Sequence, residues 1–260
     1  MRTSLFVLLA AGLLAVGPAN QAGGQDEDDP AKAAELISDA IKARGGEAYL
    51  KIRTIMTQGQ YTGFAKGVSG IPQPFVDYIV YPDRERTEFS KGNTKVIQTN
   101  VASTGWVYEA EQKMIRDQTE DQIKVWLQGI RYDLDNLLRR GSKEPGVKLV
   151  YLGRREAWLN TFTRAVRLDF TDGASTTMHF DPKSKLPVMT EYKMVHDVGT
   201  SEEQIRYYQW IEVDGVQFPK IQDSYRAKIQ TSRVYYDQIK FNADIPEKLF
   251  AKPASIKEVK

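Results

Sequence analysis

The chain holds two histidines, His179 and His196, and no cysteine. A zinc site needs three or four His, Cys or carboxylate ligands brought together. Two histidines on different expected elements, with no carboxylate framework around them in sequence, supply no such set, so no metal is expected. The absence of cysteine also excludes disulfides and thiolate catalysis. Acidic pairs such as Glu202-Glu203, or Asp133 with Asp135, fall in expected turns and on a helix surface. Carboxylates one or two apart on a helix do not converge on one substrate atom. No nucleophile elbow, phosphate loop, HExxH or dinucleotide-binding glycine turn occurs. No catalytic residue and no cofactor are therefore expected, although carboxylates distant in sequence can still meet in a fold.

Apolar rings offer the other chemistry, that of holding something greasy. In "TGWVYEAEQKMIRD" (104–117), Trp106 and Tyr108 sit two apart, so on a strand both rings share a face. Other strands are apolar on both faces. In "EQIRYYQWIEV", Ile205, Tyr207, Ile211 and Val213 oppose Tyr208 and Trp210. In "LPVMTEYKMV", Leu186, Val188, Tyr192 and Met194 oppose Met189 and Val195. A sheet with one wet face would alternate cleanly. Rings such as Trp106, Tyr108 and Tyr207, with Met178 and Phe180, fit the wall of an apolar chamber; the alternation by itself fits a solid core better, because aromatic alternation is what cores look like. His179 alternates away from Met178 and Phe180 and is expected to be solvated.

These residues ride on a simple order of elements. Asp29 can cap a helix with Pro30 at its first position, with Leu36, Ile37, Ala40 and Ile41 as the apolar stripe and "RGG" as the stop. From Ile52 the period becomes two, giving five strands through "GWVYE", with a tight hairpin at "SKGNT" (90–94). "TEDQIKVWLQGIRYDLDNLLRRG" (119–141) then reads as one long amphipathic helix with a capping box at Thr119 and Gln122. Its twenty or so residues would extend about 30 Å. Seven more strands follow, from "VKLVYLGRREAW" to "TSRVYYDQIKF", and a short turn "PEKLF" closes the domain. Short links imply an antiparallel meander of about eleven or twelve strands. The class is α+β, a strongly curved antiparallel sheet covered by an N-terminal helix and one long central helix, because two helices cannot cover so many strands spread flat.

The first residues say where such a domain works. Arg2 and the apolar run Leu5 to Gly17 are too short for a spanning helix, which needs about 20 apolar residues, and read as a signal peptide over 1–24. Cleavage after Ala19 or after Gly24 fits the small residues there. Residues 25–29 are an acidic leader, 30–251 a single domain and 252–260 a C-terminal tail. No second apolar run of spanning length occurs, so the mature chain carries no membrane span. Lys and Arg total 36 against 34 Asp and Glu. The basic clusters are no longer than pairs, which leaves no stripe for nucleic acid. A soluble periplasmic protein is expected.

The ordered motifs resemble the LolA/LolB-like family of periplasmic lipoprotein and lipid carriers. "ARGGEAYLKIRTIMTQGQYTG" (43–63) is similar to the family's opening helix and first strand, "YPDRERTEF" (81–89) to its proline-led strand, and "STGWVYEAEQKM" (103–114) to its Trp-x-Tyr strand. "LDFTDGASTTMHFDPKSKLPVMTEY" (168–192) and "WIEVDGVQFPKIQ" (210–222) resemble its later strand pairs. The resemblance spans roughly 30 to 251 and implies an incomplete β-barrel of about 11 strands whose apolar cavity accepts acyl chains of lipids or lipoproteins. With such a cavity, Trp106, Tyr108, Trp126, Met178, Phe180, Tyr192 and Tyr207 are the expected lining, with Tyr81 and Arg86 near the mouth, although Arg86 does not stand at the family's matching position. Tyr81 stands where the classical carrier has a latch arginine before its proline. A phenol can hydrogen-bond to a lid but lacks the multidentate donors of arginine. The alternative is a sensor or scaffold of the same fold that docks an inner- or outer-membrane protein.

Overall fold

Asp29 opens the first helix as the Asp-Pro pair dictates. Its carboxylate accepts from the amides of Ala31 (2.9 Å) and Lys32 (3.2 Å), and Pro30 takes the first helical position, where a missing N–H is harmless. Helix α1 (Pro30–Ala43) buries Ala33, Leu36, Ile37 and Ala40. Gly45 and Gly46 end it at φ 118° and 58°, conformations that a Cβ disfavours. A single turn, α2 (Glu47–Leu50), follows and buries Tyr49. The computed structural model describes residues 28–91 and 94–259, the backbone only at Lys91. The signal segment 1–24, the first residues of the acidic leader and the tip of the "SKGNT" hairpin lie outside the described residues.

The sheet contains β1 (Thr54–Ala65), β2 (Val68–Ser69), β3 (Gln73–Val80), β4 (Arg84–Lys91), β5 (Thr94–Val101), β6 (Thr104–Glu109) and β7 (Met114–Asp117) from the first half. The second half supplies β8 (Lys148–Trp158), β9 (Thr161–Asp169), β10 (Ser175–Phe180), β11 (Pro187–His196), β12 (Gly199–Val213), β13 (Val216–Arg226) and β14 (Ile229–Phe241). Neighbours run in the order β7-β6-β5-β4-β3-β1-β14-β13-β12-β11-β10-β9-β8, all antiparallel, with β2 folded back on β1. The ends β7 and β8 are not paired among the described residues, so the curved sheet stays open. Among the described residues, fourteen strands replace the eleven or twelve expected. The two extra are β2 and β7, each too short to show a period in the sequence.

The single long helix is also corrected. It is two helices, α3 (Glu120–Tyr132) and α4 (Leu134–Arg139), broken at Asp133 where ψ is 136°. Asp133 ends α3 and caps α4, its carboxylate accepting from the amides of Asp135 (2.9 Å) and Asn136 (3.1 Å). At its start α3 keeps the capping box of Thr119 and Gln122. Thirteen residues make α3 about 20 Å long. It therefore crosses part of the sheet.

Register divides the residues between two faces. One face carries Ile55, Val166, Leu168, Phe170, Met178, Phe180, Tyr207, Val216 and Phe218, which form one buried cluster with α1 and with Leu134, Leu137 and Leu138 of α4. Trp210 joins this cluster although alternation places it opposite Tyr207. Gln209 at φ 54° interrupts the alternation, and the Trp210 ring lies 6.3 Å from that of Tyr207. The other face of β4 to β6 is covered by the segment after β14. There Arg86 donates to the carbonyl of Leu249 (2.7 Å) and Trp106 Nε1 to that of Phe250 (3.1 Å).

Candidate functional site: a pocket beneath a short helix

The site is built from the inward residues of β3 and β4, the end of β11 and the underside of α3. Ile79 pairs with Glu85 across β3 and β4, so both point to the helix-covered face. From α3, Val125, Trp126, Gly129 and Ile130 recur at helical spacing on the side turned to the sheet. Between them lies a pocket of about 620 Å³, walled by Ile79, Pro82, Val125, Trp126, Ile130 and Met194, with Tyr81, Glu85, Gln98, Asp133 and His196 as polar lining. A second pocket of about 650 Å³ opens on the other flank of α3, against Gly105, Gln118, Ile123 and Leu127.

Helix α3 is fastened at its rim by polar bonds. Gln128 pairs with the backbone of Val195 in both directions, donating from Nε2 to the carbonyl (2.7 Å) and accepting from the amide at Oε1 (2.8 Å). Lys124 pairs with Asp197 (3.3 Å) and Arg131 with Asp172 (2.5 Å). Trp126 Nε1 donates to Glu85 (3.3 Å), and the Tyr132 ring stacks on Tyr192 with centroids 4.5 Å apart. Few apolar side chains of α3 are buried, Trp126 and Tyr132. In contrast, α4 sinks four of its six residues. Asp133 is the residue that joins the lightly held helix to the deeply held one.

Asp135 anchors α4. Its Oδ1 accepts from Arg44 Nη1 and from the Tyr49 hydroxyl (2.8 Å), and its Oδ2 from the Tyr81 hydroxyl (2.6 Å). Arg44 is 2 % exposed and also lies over the Tyr49 ring at 4.3 Å. Arg139 lies over Tyr81 at 4.6 Å and donates to the carbonyls of Tyr49, Leu50 and Ile52. Burial pushes the Asp135 carboxyl up, yet Arg44, Tyr81 and Tyr49 outweigh it and hold it below the usual range. Asp135 was expected on a helix surface. It sits instead at the junction of α1, α2, β3 and α4.

The other carboxyls of the site go the opposite way. Burial first, then the charge of Asp135, pushes Asp133 up to about 7. Burial likewise raises Glu85 and, with the adjacent Glu85, lifts Asp77 well above its ordinary value. Thr87 donates to Asp77 at 2.9 Å beneath them.

The structure brings together only part of the expected lining. Trp126 and Tyr81 line the pocket, and Tyr192 stands beside it against Tyr132. Met178, Phe180 and Tyr207 share the helix-covered face but are packed in the core, at 0 %, 0 % and 4 % exposure. Trp106, Tyr108 and Arg86 lie on the opposite face. Trp106 pairs with Thr99 and Arg86 with the same Thr99, one residue out of step with the Glu85 and Gln98 rows that reach the pocket. Apolar residues on both faces of β6 hid this, and Phe250 from the far end of the chain supplies the cover. His179 is buried at 3 % rather than solvated, because Thr163 (3.0 Å) and Glu191 (3.3 Å) on the flanking strands close on its two ring nitrogens. Sequence reasoning missed Arg44, Glu85, Gln128, Asp133 and Asp135. A signal existed for Asp133, an Asp placed directly before "LDNLL" as a cap would be.

No family model matches the chain, and no curated protein matches it. Solved structures do. A DUF1329 family protein from Desulfovibrio piger superposes with TM-score 0.59 at 11% identity, over 86% of this chain and 98% of the other. A LolA superfamily protein from Nitrosomonas europaea gives 0.54 at 12% identity, over 85% and 97%. An outer membrane lipoprotein-sorting protein domain from Vibrio parahaemolyticus gives 0.52 at 10% identity, over 85% and 97%. The chain thus has the fold of LolA-superfamily and lipoprotein-sorting structures, as its ordered motifs indicated.

Proposed function

We propose that this protein is a soluble, non-enzymatic periplasmic carrier that holds acyl chains of lipids or lipoproteins in the pocket beneath α3. The observation that carries the reading is that pocket: about 620 Å³, apolar on most sides, and roofed by a helix held mainly by rim hydrogen bonds. Volumes of about 300–1,000 Å³ are those of small-ligand sites. Each methylene buried there contributes about 0.8 kcal/mol. Tyr81, Trp126, Ile130 and Met194 are the contact residues. Among the described residues no helix is long and apolar enough to cross a membrane. Calorimetric titration with dodecanol tests the reading. Saturable one-to-one binding to the native protein, lost when Ile130→Trp fills the pocket, supports it. Binding that persists in a folded Ile130→Trp protein removes the pocket from the account.

A docking role has its own support. In an all-antiparallel path β1, β11 and β13 run the same way, so their C-terminal connections share one end of the sheet. Those connections expose Val68, Ile71, Val198 and, at the start of β14, Ile229. Apolar tips grouped in this way suit a protein or membrane partner.

A further inference from the structure

An acyl tail matches only the apolar walls of the pocket. The pocket contains acids that apolar cargo does not need. Glu85 and Asp133 both line it beside the apolar walls. Among the described residues neither is paired with a cation: Glu85 is held by Trp126, and Asp133 accepts from backbone amides of α4. Behind Glu85 lies Asp77, 8 % exposed, and at the α3 end Asp121 also reaches the pocket.

The basic groups nearby are already engaged. Arg84, from β4, lines the pocket but gives its guanidinium to both oxygens of Glu247 (2.6 and 2.5 Å). His196, from β11, is hydrogen-bonded to Ser201 (3.0 Å). Arg44, after α1, is committed to Asp135, and Arg139 of α4 to three backbone carbonyls. The pocket is therefore an open, partly apolar cleft whose carboxyls lack cationic partners among the described residues. A ligand anion placed in it would meet like charge at low dielectric, whereas an ammonium would supply the missing partner.

We infer that the pocket selects amphiphiles with a cationic amine head over neutral ones, and neutral over anionic ones such as fatty-acid carboxylates. The inference rests on the carrier reading. It adds a sign to the head group, carried by Glu85 and Asp133. Burial holds Asp133 near neutrality, so an ammonium that favours its ionised form binds with release of a proton. The preference for the amine then grows as pH rises through about 7.

Dodecylamine, dodecanol and dodecanoate share one tail and differ in head charge. Calorimetry of each against the full mature protein, below micelle-forming concentration at pH 6 and pH 8, reads the order directly. The expected result at pH 8 is amine tighter than alcohol by about tenfold and dodecanoate weaker than alcohol by about tenfold, with a smaller spread at pH 6. In the Glu85→Gln, Asp133→Asn double variant, checked for folding by near-UV dichroism, the three should bind alike. Equal affinities for all three in the native protein overturn the head-group inference and leave the acyl pocket standing, as does dodecanoate binding tightest. Failure of all three to bind overturns the carrier reading, and the inference with it. An unfolded double variant leaves the native order and its pH dependence as the deciding result.

Discussion

The hydroxyl of Tyr81 donates to Oδ2 of Asp135 at 2.6 Å, tying the end of β3 to the first turn of α4. Tyr81 occupies the position where the resemblance implied a latch arginine. The bonds to α4 are shared among three side chains. The arginine is Arg44, placed after α1; the acceptor is a side chain of the helical segment itself; and Tyr81 takes the oxygen that Arg44 and Tyr49 leave free.

Removal of the two ends of that bond should differ sharply in cost. Tyr81→Phe deletes one hydrogen bond to a charged group, worth about 1.5–3 kcal/mol. Asp135→Ala strands the buried Arg44 guanidinium and should cost about 3–5 kcal/mol. Urea unfolding measures both. An Asp135→Ala protein within about 1 kcal/mol of wild type would show that the cluster does not hold α4.

Asp133 gives the stability a pH signature. Burial, and then the charge of Asp135, lifts its carboxyl to about 7, against the countering pull of Arg44. The folded state therefore binds more protons than the unfolded chain between about pH 4 and pH 7. The contribution is fully present at the acid end and declines as pH rises towards 7. Because Asp133 is partly open to the pocket, about 1–2 kcal/mol is expected rather than the full shift. Asp133→Asn keeps a good cap residue and should flatten this part of the profile. Superimposable wild-type and variant profiles from pH 4 to pH 7.5 would contradict the assignment.

Trp106 and Trp126 should separate stability from binding. Trp106→Ala opens a void under Phe250 and removes the bond to its carbonyl, at a cost of about 3–5 kcal/mol, with dodecanol affinity unchanged in the protein that remains folded. Trp126→Ala strips a wall of the pocket and should weaken that affinity roughly tenfold or more. The reverse pattern would move the ligand to the opposite face of β6.

Much of the architecture was legible because local chemistry and tertiary role agree. Asp29-Pro30, the glycine pair after Arg44 and the Thr119–Gln122 box mark helix ends by side-chain hydrogen bonds and φ alone, and the structure keeps each of them. The site was harder. Trp106 looks like a lining residue because β6 is apolar on both faces, and only the distant Phe250 decides which face is covered. "YDLDNLL" keeps a helical stripe through Asp133, so the break, and with it the burial of Asp135, is invisible until Arg44, Tyr49 and Tyr81 arrive from other elements. Those contacts join residues 54 to 91 positions apart. Periodicity has no access to them.

Gln128 should control how readily α3 lifts. Its two bonds to Val195 occupy the edge of β11 beyond the last residue paired with β10. In Gln128→Ala the Val195 amide loses its partner, and its hydrogen exchange should accelerate by about tenfold or more while core amides such as that of Val166 stay protected. Unchanged exchange at Val195 would mean that α3 is held by other contacts.

Native mass spectrometry of the protein taken from a periplasmic extract without detergent, followed by lipid extraction, tests the carrier reading most directly. The account expects a bound species carrying an acyl chain, retained by the wild type and absent from Ile130→Trp. A wild-type protein that arrives empty and ignores added dodecanol, fatty acids and phospholipids would contradict it, and would shift attention to the exposed tips at Val68, Ile71, Val198 and Ile229.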